Sequence, residues 1–517
     1  MPARVLGQAR VWQTIHRTFI LGWNIGAGWR VQFRMIARRI YAAVIAGILL
    51  YFVMGVHPVA WLVWFAPLPL LVLALRSTAR EARWTTALAA LIGGSVNFHY
   101  YRLVMPLPVV FLIMAAQVWL WMFITVATRR IVLRYQAWWT VFAFPVFWAA
   151  EDTLRAHLLR DGNWGSFAYS QADFLPILQV TSLVGVAGLR FLVALIPSAL
   201  ALAFTFGFRM PPAWRAYAAT GLLLVAALGY GTLRLRTPVK GQPVTFGLVA
   251  IDDAIGMQAS PSYIAGIWGG YDRQVRSLVA EGAGVIVLPE KIGLVSPAEA
   301  GGWQQHLSAL AAELNVWIEA GVGVEDGGKR RNLAWLFTPQ GALEASYLKH
   351  HMAPPEHGYI AGHDYEVRSI GGNEYGLAVC KDMHFAALGR AYGERDASVM
   401  LVPAWDFYFD GWLEARTTLT RGVENGYTVV RAAREGLLTV SDPYGRVLGE
   451  RASSSLPGST LLVKANVGAP VATLYTRTGD LFGWLSVVAA AVLLASGRRV
   501  TAKVTIALKG SHLEAKV

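Results

Sequence analysis

Cysteine is almost absent from this chain: 517 residues hold one, Cys380. An internal disulfide is therefore excluded, and a domain placed in an oxidising space would have to stand on its own core. No cysteine pair accompanies His350, His351 and His357. Two of these histidines are adjacent and poorly placed to share one ion, so all three read as loop residues with no metal and no cofactor expected. Repeats of about 20–50 residues and low-complexity tracts are missing. No compact apolar core with a small-residue cleavage site follows Met1, which argues against an early cleavable signal peptide. Acidic residues are scarce beside basic ones, 32 against 46, for a formal charge of +14.

What is abundant is apolar. The sequence is 55% hydrophobic and 12% aromatic, with a mean hydropathy of +0.42, and its apolar residues concentrate before about residue 235. A chain so composed is not soluble throughout. Segments 40–56, 58–75, 84–100, 106–127, 138–158, 178–206, 213–232 and 479–496 are each mostly apolar over the ~17–25 residues that a bilayer requires, which predicts eight spans. Thr18 to Trp29 is short and Gly-broken and reads as an interfacial approach segment.

Arginines orient the chain. Arg30, Arg34, Arg38 and Arg39 precede the first predicted span, Arg76, Arg80 and Arg83 follow the second, and Arg129, Arg130 and Arg134 the fourth. Arg209 and Arg215 follow the sixth, and Arg498, Arg499 and Lys503 the last. Every second loop is basic. By the positive-inside rule those loops are cytoplasmic, and residues 233–478 face the other side. The high charge is then mostly topology and not a nucleic-acid surface, because the basic residues flank spans and do not interleave with aromatics.

Residues 233–478 alternate short strands with helices. Thr245–Ile251, Gly284–Glu290, Val316–Val324, Asn332–Thr338, Tyr375–Cys380, Ser398–Pro403, Tyr427–Arg431 and Gly436–Ser441 read as strands, and Tyr263–Glu281, Trp303–Asn315 and Leu413–Asn425 as helices. That rhythm predicts an α/β layered domain with functional groups at strand ends. Three such ends carry chemistry. One apolar run finishes at Glu290, another segment supplies Lys349 and, seven residues on, Glu356, and a third run finishes at Cys380. A thiol can attack a carbonyl, a carboxylate can move its proton and an ammonium can stabilise the oxyanion. If Lys381 onward opens a helix, the thiol sits at a strand-to-helix turn whose N–H groups would lower its pKa. Alone, Cys380 is equally well read as a small buried apolar residue, and Glu290 and Lys349 as surface charges. Their order and their strand ends favour the chemical reading.

The order Pro289-Glu290, Tyr347-x-Lys349 and Val379-Cys380, followed by Arg421-Gly-Val-Glu424-Asn425 and Asp442-Pro-Tyr-Gly445, resembles the nitrilase or carbon–nitrogen hydrolase superfamily. In the membrane half, Asn163-Trp-Gly-Ser-Phe-Ala-Tyr-Ser-Gln171, Val184-Gly-Val-Ala-Gly-Leu-Arg-Phe-Leu192 and Leu474-Tyr-Thr-Arg-Thr-Gly-Asp480 resemble the apolipoprotein N-acyltransferase family. The resemblance implies a multi-span α-helical membrane domain carrying an αββα sandwich between spans seven and eight. It implies transfer of a phospholipid acyl chain, through a cysteine thioester, to the α-amine of a diacylglyceryl-cysteine lipoprotein at the outer face of the bacterial inner membrane. Glu290 would be the general base, Lys349 the oxyanion partner and Cys380 the nucleophile. Glu356 would support them, and Asp382 stands where the family has a glutamate. The implied domains are a basic N-terminal segment (1–39), a membrane domain (40–232), a catalytic domain (233–478), a final span (479–496) and a basic cytoplasmic tail (497–517).

The sequence departs from the family at Lys291 and Lys381, each directly after a catalytic candidate, and at Pro403-Ala-Trp-Asp-Phe-Tyr-Phe-Asp-Gly411. Trp164, Trp405 and Phe407 are candidates for the substrate pocket. Trp405, Phe407, Tyr408, Phe409 and Trp412 suit either a lid dipping into the lipid interface or packing beneath their own loop. A membrane-anchored amidase or nitrilase that passes its thioester to water would use the same Glu-Lys-Cys trio. A catalytically silent scaffold is a third reading. The many spans favour the transferase, since a lipid donor reaches the thiol from the bilayer.

Overall fold

The computed structural model describes residues 34–207 and 213–496. The approach segment at 18–29, Arg30, Arg209, the tail after 496 and most of the 1–39 segment lie outside the described residues. The membrane half contains α1 (Arg34–Met54), α2 (Leu68–Leu75), α3 (Ala79–Gly94), α4 (Phe98–Val104), α5 (Leu107–Tyr135) and α6 (Ala143–Leu158). It continues with α7 (Leu175–Leu178), α8 (Thr181–Phe206) and α9 (Ala213–Leu235).

Among the described residues four helices, α1, α5, α8 and α9, are long and apolar enough to cross a membrane by length and composition. The eight apolar runs of the sequence are not eight such helices. Run 58–75 holds a turn of 3-10 helix and then the eight residues of α2, run 84–100 is broken after Gly94, and α6 has 16 residues. Average composition over a span's length does not mark these breaks, because each run stays mostly apolar overall. Pro106 starts α5, and without a proline or glycine to stop it that helix runs 29 residues and carries Arg129 and Arg130 in its last turns. Arg129 there donates to the carbonyls of Ala74 and Ser77, satisfying the open end of α2.

The second half is built from β1 (Gln242–Ala250), α10 (Pro261–Ala280), β2 (Val285–Val287), β3 (Leu294–Val295), α11 (Pro297–Leu314), β4 (Trp317–Asp326), β5 (Lys329–Phe337) and β6 (Leu343–Leu348). After these come β7 (Val367–Ile370), β8 (Asn373–Leu377), α12 (Ala386–Gly393), β9 (Val399–Trp405), α13 (Gly411–Asn425), β10 (Thr428–Arg434), β11 (Leu437–Ser441), β12 (Val447–Ala452) and β13 (Ser459–Val467). Helices α14 (Leu474–Thr478) and α15 (Leu481–Ser496) follow. One sheet has the order β13-β1-β2-β4-β5-β6, with β3 paired to β4, and the other β12-β11-β10-β9-β8-β7.

Phe246, Leu248, Val285 and Val287 of the first sheet meet Leu377, Val399, Leu401 and Val430 of the second in one buried cluster. On the far side of the first sheet, Val249, Ile286 and Ile318 pack with Ile267 and Tyr271 of α10 and Leu307 of α11. On the far side of the second, Met400, Val402 and Val429 pack with Leu388 and Tyr392 of α12. Both strand faces are buried, which explains their near-continuous apolar runs. The layers are helix, sheet, sheet, helix, the expected α/β sandwich.

Candidate active site

The three chemical residues sit where strands end. The main chain leaves β2 through Pro289 and Glu290, and the Glu290 amide donates to the Ala404 carbonyl (3.1 Å), tying this turn to β9 of the opposite sheet. Gly321 of β4 runs beneath the turn, and a Cβ there would lie 2.5 Å from the Glu290 Cα, so only glycine fits. Lys349 follows β6, and its amide donates to the Asn332 carbonyl (2.9 Å) of β5. Cys380 follows β8 and opens a single 3-10 turn, Cys380–His384, with α12 beginning only at Ala386. Its φ of +45° is a costly conformation for a residue with a side chain, held by the surrounding core.

Lys349 is buried, with 1% exposure. Its Nζ donates to Glu290 Oε1 and Glu356 Oε2, both at 2.8 Å. Asn332 Nδ2 bridges the same carboxylates, 2.6 Å from Glu290 Oε1 and 2.7 Å from Glu356 Oε1. Lys291 Nζ also reaches Glu356 Oε1, at 2.7 Å, and lies over the Trp405 ring, 4.6 Å from its centroid. Two carboxylates and two ammonium groups thus share one buried cluster.

Burial alone would discharge Lys349, but the facing Glu290 and Glu356 hold its ammonium well above the usual lysine range. Burial likewise opposes the Glu356 charge, and Lys349 with Lys291 overrides it, keeping this carboxyl well below its ordinary value. Cys380 differs from the sequence expectation. Burial and then the Glu290 charge push the thiol well up, with Lys349 only partly offsetting them, so the turn does not deliver a preformed thiolate. At rest the thiol points to the Trp405 carbonyl, 3.5 Å away. Asp382 is structural in its contacts: it accepts from the amides of Val379, His350 and His351 and from the Tyr347 hydroxyl (2.8 Å).

Glu290, Lys349, Cys380 and Glu356 line one cavity of about 550 Å³. Trp164, Trp405 and Phe407 stand on its wall, whereas Tyr408 is 63% exposed outside it. Trp405 is held by its Nε1 on Glu435 (2.8 Å) and by the Arg434 guanidinium 3.9 Å from its ring centroid, so it packs under its loop. The membrane half contributes apolar lining from α5, Leu112, Ile113, Ala116 and Leu120, together with the charged Glu151, Arg155 and Asp161. Several residues at the site were not legible as such from sequence. Asn332, behind the carboxylates, had one signal, an amide inside an apolar strand. Asp161, whose carboxylate pairs with Lys381, and Glu414, bonded to His384 and Trp164, had none.

Two stacked sheets with helices outside, and a carboxylate, a lysine and a cysteine at the ends of their strands, define a carbon–nitrogen hydrolase domain of the nitrilase superfamily. Residues 253–460 match the family model described as Carbon-nitrogen hydrolase, and residues 46–200 that described as Apolipoprotein N-acyltransferase N-terminal domain. An apolipoprotein N-acyltransferase of Geobacter metallireducens is 27% identical over 387 residues, 68% of this chain and 73% of its own length. One of Bradyrhizobium diazoefficiens is 27% identical over 416 residues, 70% of this chain and 74% of its own. Similarity to the Homo sapiens omega-amidase, 28% over 209 residues, spans 34% of this chain and 75% of that protein. Among solved structures, an amidase from Nesterenkonia sp. covers 44% of this chain and 92% of its own, at 22% identity and a TM-score of 0.37.

The chain belongs to the apolipoprotein N-acyltransferase family within the nitrilase superfamily, and it is an N-acyltransferase. Its apolar helices and this kinship make it a bacterial membrane protein.

Proposed function

We propose that this enzyme moves an acyl chain from a phospholipid to Cys380 and from there to the α-amine of a diacylglyceryl-cysteine lipoprotein. The observation that carries the reading is the shared cavity, lined both by Glu290, Lys349 and Cys380 and by apolar residues of α5. An acyl chain has a greasy path to the thiol, which a soluble amide would not need. Asn332 and Lys349 both donate to Glu290 Oε1 and leave Oε2 to take the thiol proton as the sulfur attacks the ester carbonyl. Lys349 spends two of its three N–H groups on carboxylates, and the third serves the oxyanion. Glu290 then returns its proton to the departing lysophospholipid oxygen, and a thioester remains. In this reading Glu356 holds Lys349 in place, and Trp164 and Phe407 border the acyl chain.

The same reading carries the finer topology: eight crossings in all, the shorter helices included, a catalytic domain over 233–478 on the outer face of the inner membrane, and a cytoplasmic tail. Protein incubated with phospholipid and analysed by mass spectrometry should carry an acyl adduct on Cys380. Cys380→Ser, in which an alcohol replaces the more acidic thiol, should carry none and lose turnover. A diacylglyceryl peptide with a free α-amine should discharge the adduct to an amide. Rapid release of free fatty acid without acceptor, the peptide unmodified, would assign the enzyme instead to the hydrolases.

A further inference from the structure

The 3-10 turn that begins with Cys380 ends with a second reactive side chain. His384 is 7% exposed and lines the cavity that holds the thiol. Its Nε2 lies 2.5 Å from Oε2 of Glu414 on α13. The other oxygen of Glu414 accepts from Trp164 Nε1 at 2.8 Å, so the carboxylate is fixed from both sides. His384 Nδ1 is buried and has no hydrogen-bond partner among the described residues. A carboxylate on one ring nitrogen fixes the proton there and leaves the other nitrogen as a base. Burial opposes the Glu414 charge, but His384 beside it keeps the carboxyl below its ordinary value. The turn is pinned against the membrane half by Gly162, where a Cβ would come 3.3 Å from the His384 carbonyl oxygen.

We propose that His384, oriented by Glu414, is the base that takes the first proton from the acceptor amine. This rests on the acyl-transfer reading and goes beyond the Glu-Lys-Cys trio. Proton accounting gives the reason. An α-amine has a pKa of about 8, so at neutral pH most of it arrives as an ammonium. The nitrogen sheds two protons on becoming an amide. One follows the attack: the N–C bond forms, the C–S bond breaks, and Glu290 carries a proton from nitrogen to the departing thiolate. The other must leave before nitrogen has a lone pair to attack with, and Glu290 handles one proton at a time. His384 Nδ1 accepts it, Glu414 stabilises the imidazolium, and the proton passes to solvent. Around this pair stand Asp410 at the N-cap of α13, Arg431 of β10, Asp382 of the turn, and Lys381 paired with Asp161.

The test separates the two half-reactions. Acyl-enzyme is formed from phospholipid in wild type, His384→Gln and Glu414→Gln, then discharged either by a diacylglyceryl-cysteine peptide or by hydroxylamine, which is unprotonated at neutral pH. His384→Gln should slow peptide discharge at least ~100-fold more than it slows acylation. Hydroxylamine should discharge it at close to the wild-type rate, and the peptide defect should shrink as pH rises through about 8. Glu414→Gln should shift peptide discharge the same way, by at least ~10-fold. Native peptide discharge in His384→Gln, or an equal loss with hydroxylamine, overturns the role. If His384→Gln does not accumulate, Glu414→Gln decides, and native peptide discharge in it overturns the proposal. Failure of wild type to acylate overturns the transfer reading and this one with it.

Discussion

Glu356 shows how charge is balanced at the level of single residues. It sits 2.7 Å from Lys291 and 2.8 Å from Lys349, and among the described residues Glu290 shares the task of neutralising these two buried ammonium groups. Removing one member of such a cluster leaves an uncompensated buried charge, a loss of about 3–5 kcal/mol. Glu356→Ala should therefore shorten the thermal inactivation half-life in detergent sharply, and a native half-life would show that the cluster tolerates unequal charge. The pH window follows from the directions of the shifts. The depressed Glu356 carboxyl contributes stability present above its unfolded pKa of about 4.3 and lost as pH falls; the raised Lys349 contributes stability present below about 10.4 and lost as pH rises. Between those limits both act, and Glu356→Ala should flatten the acid side of the profile. The charged residues themselves were visible in the sequence as strand-end groups. Their partner Lys291 stood out only as a family departure, because nothing in Glu290-Lys291 says that the lysine turns inward at a φ of +48°.

At the level of elements, α8 couples the two halves. Its helix breaks at Gly185, φ +68°, and the Val186 amide is thereby free to donate to Glu424 Oε1 of α13 at 3.1 Å. The Tyr475 ring of α14 fills the space beside the break, so that a Cβ on Gly185 would lie 2.5 Å from its carbons. Gly185→Ala meets both obstacles, left-handed strain of about 1–3 kcal/mol and a ring that must move. It should lower the detergent unfolding temperature and impair acyl transfer together, and unchanged values for both would mean that the kink is not needed for docking. Sequence reading recovered the long elements, since apolar runs and strand alternation are local signals. It lengthened or merged the short ones: Gly93-Gly94 and Pro106 end and begin helices inside stretches that are mostly apolar when averaged over a span's length. Asp161 and Glu414 escaped for another reason. Each joins the site through long-range contact, Asp161 on Lys381 and Glu414 on His384 and Trp164, and no local pattern encodes such contact.

For the molecule as a whole, the halves are joined by polar contacts across their boundary. Tyr100 donates to Asp410 at 2.7 Å, Arg421 to the Tyr169 hydroxyl at 2.7 Å, Arg416 to Asp173 at 2.7 Å and Gln179 to the Tyr444 carbonyl at 2.9 Å. The orientation expected from the arginine loops tests the arrangement from outside. A periplasm-active reporter fused after Lys240 should be active and one fused after Arg130 silent; the reverse would overturn the proposed side of the catalytic domain.

The single cysteine has a further consequence. Every titratable sulfhydryl in the denatured chain is that of the proposed nucleophile, since Cys380 has no companion. After rapid denaturation a colorimetric thiol reagent would count free nucleophile directly, and the shortfall from one per chain would give the fraction trapped as acyl-enzyme, with no background to subtract and no engineered cysteine-less parent needed.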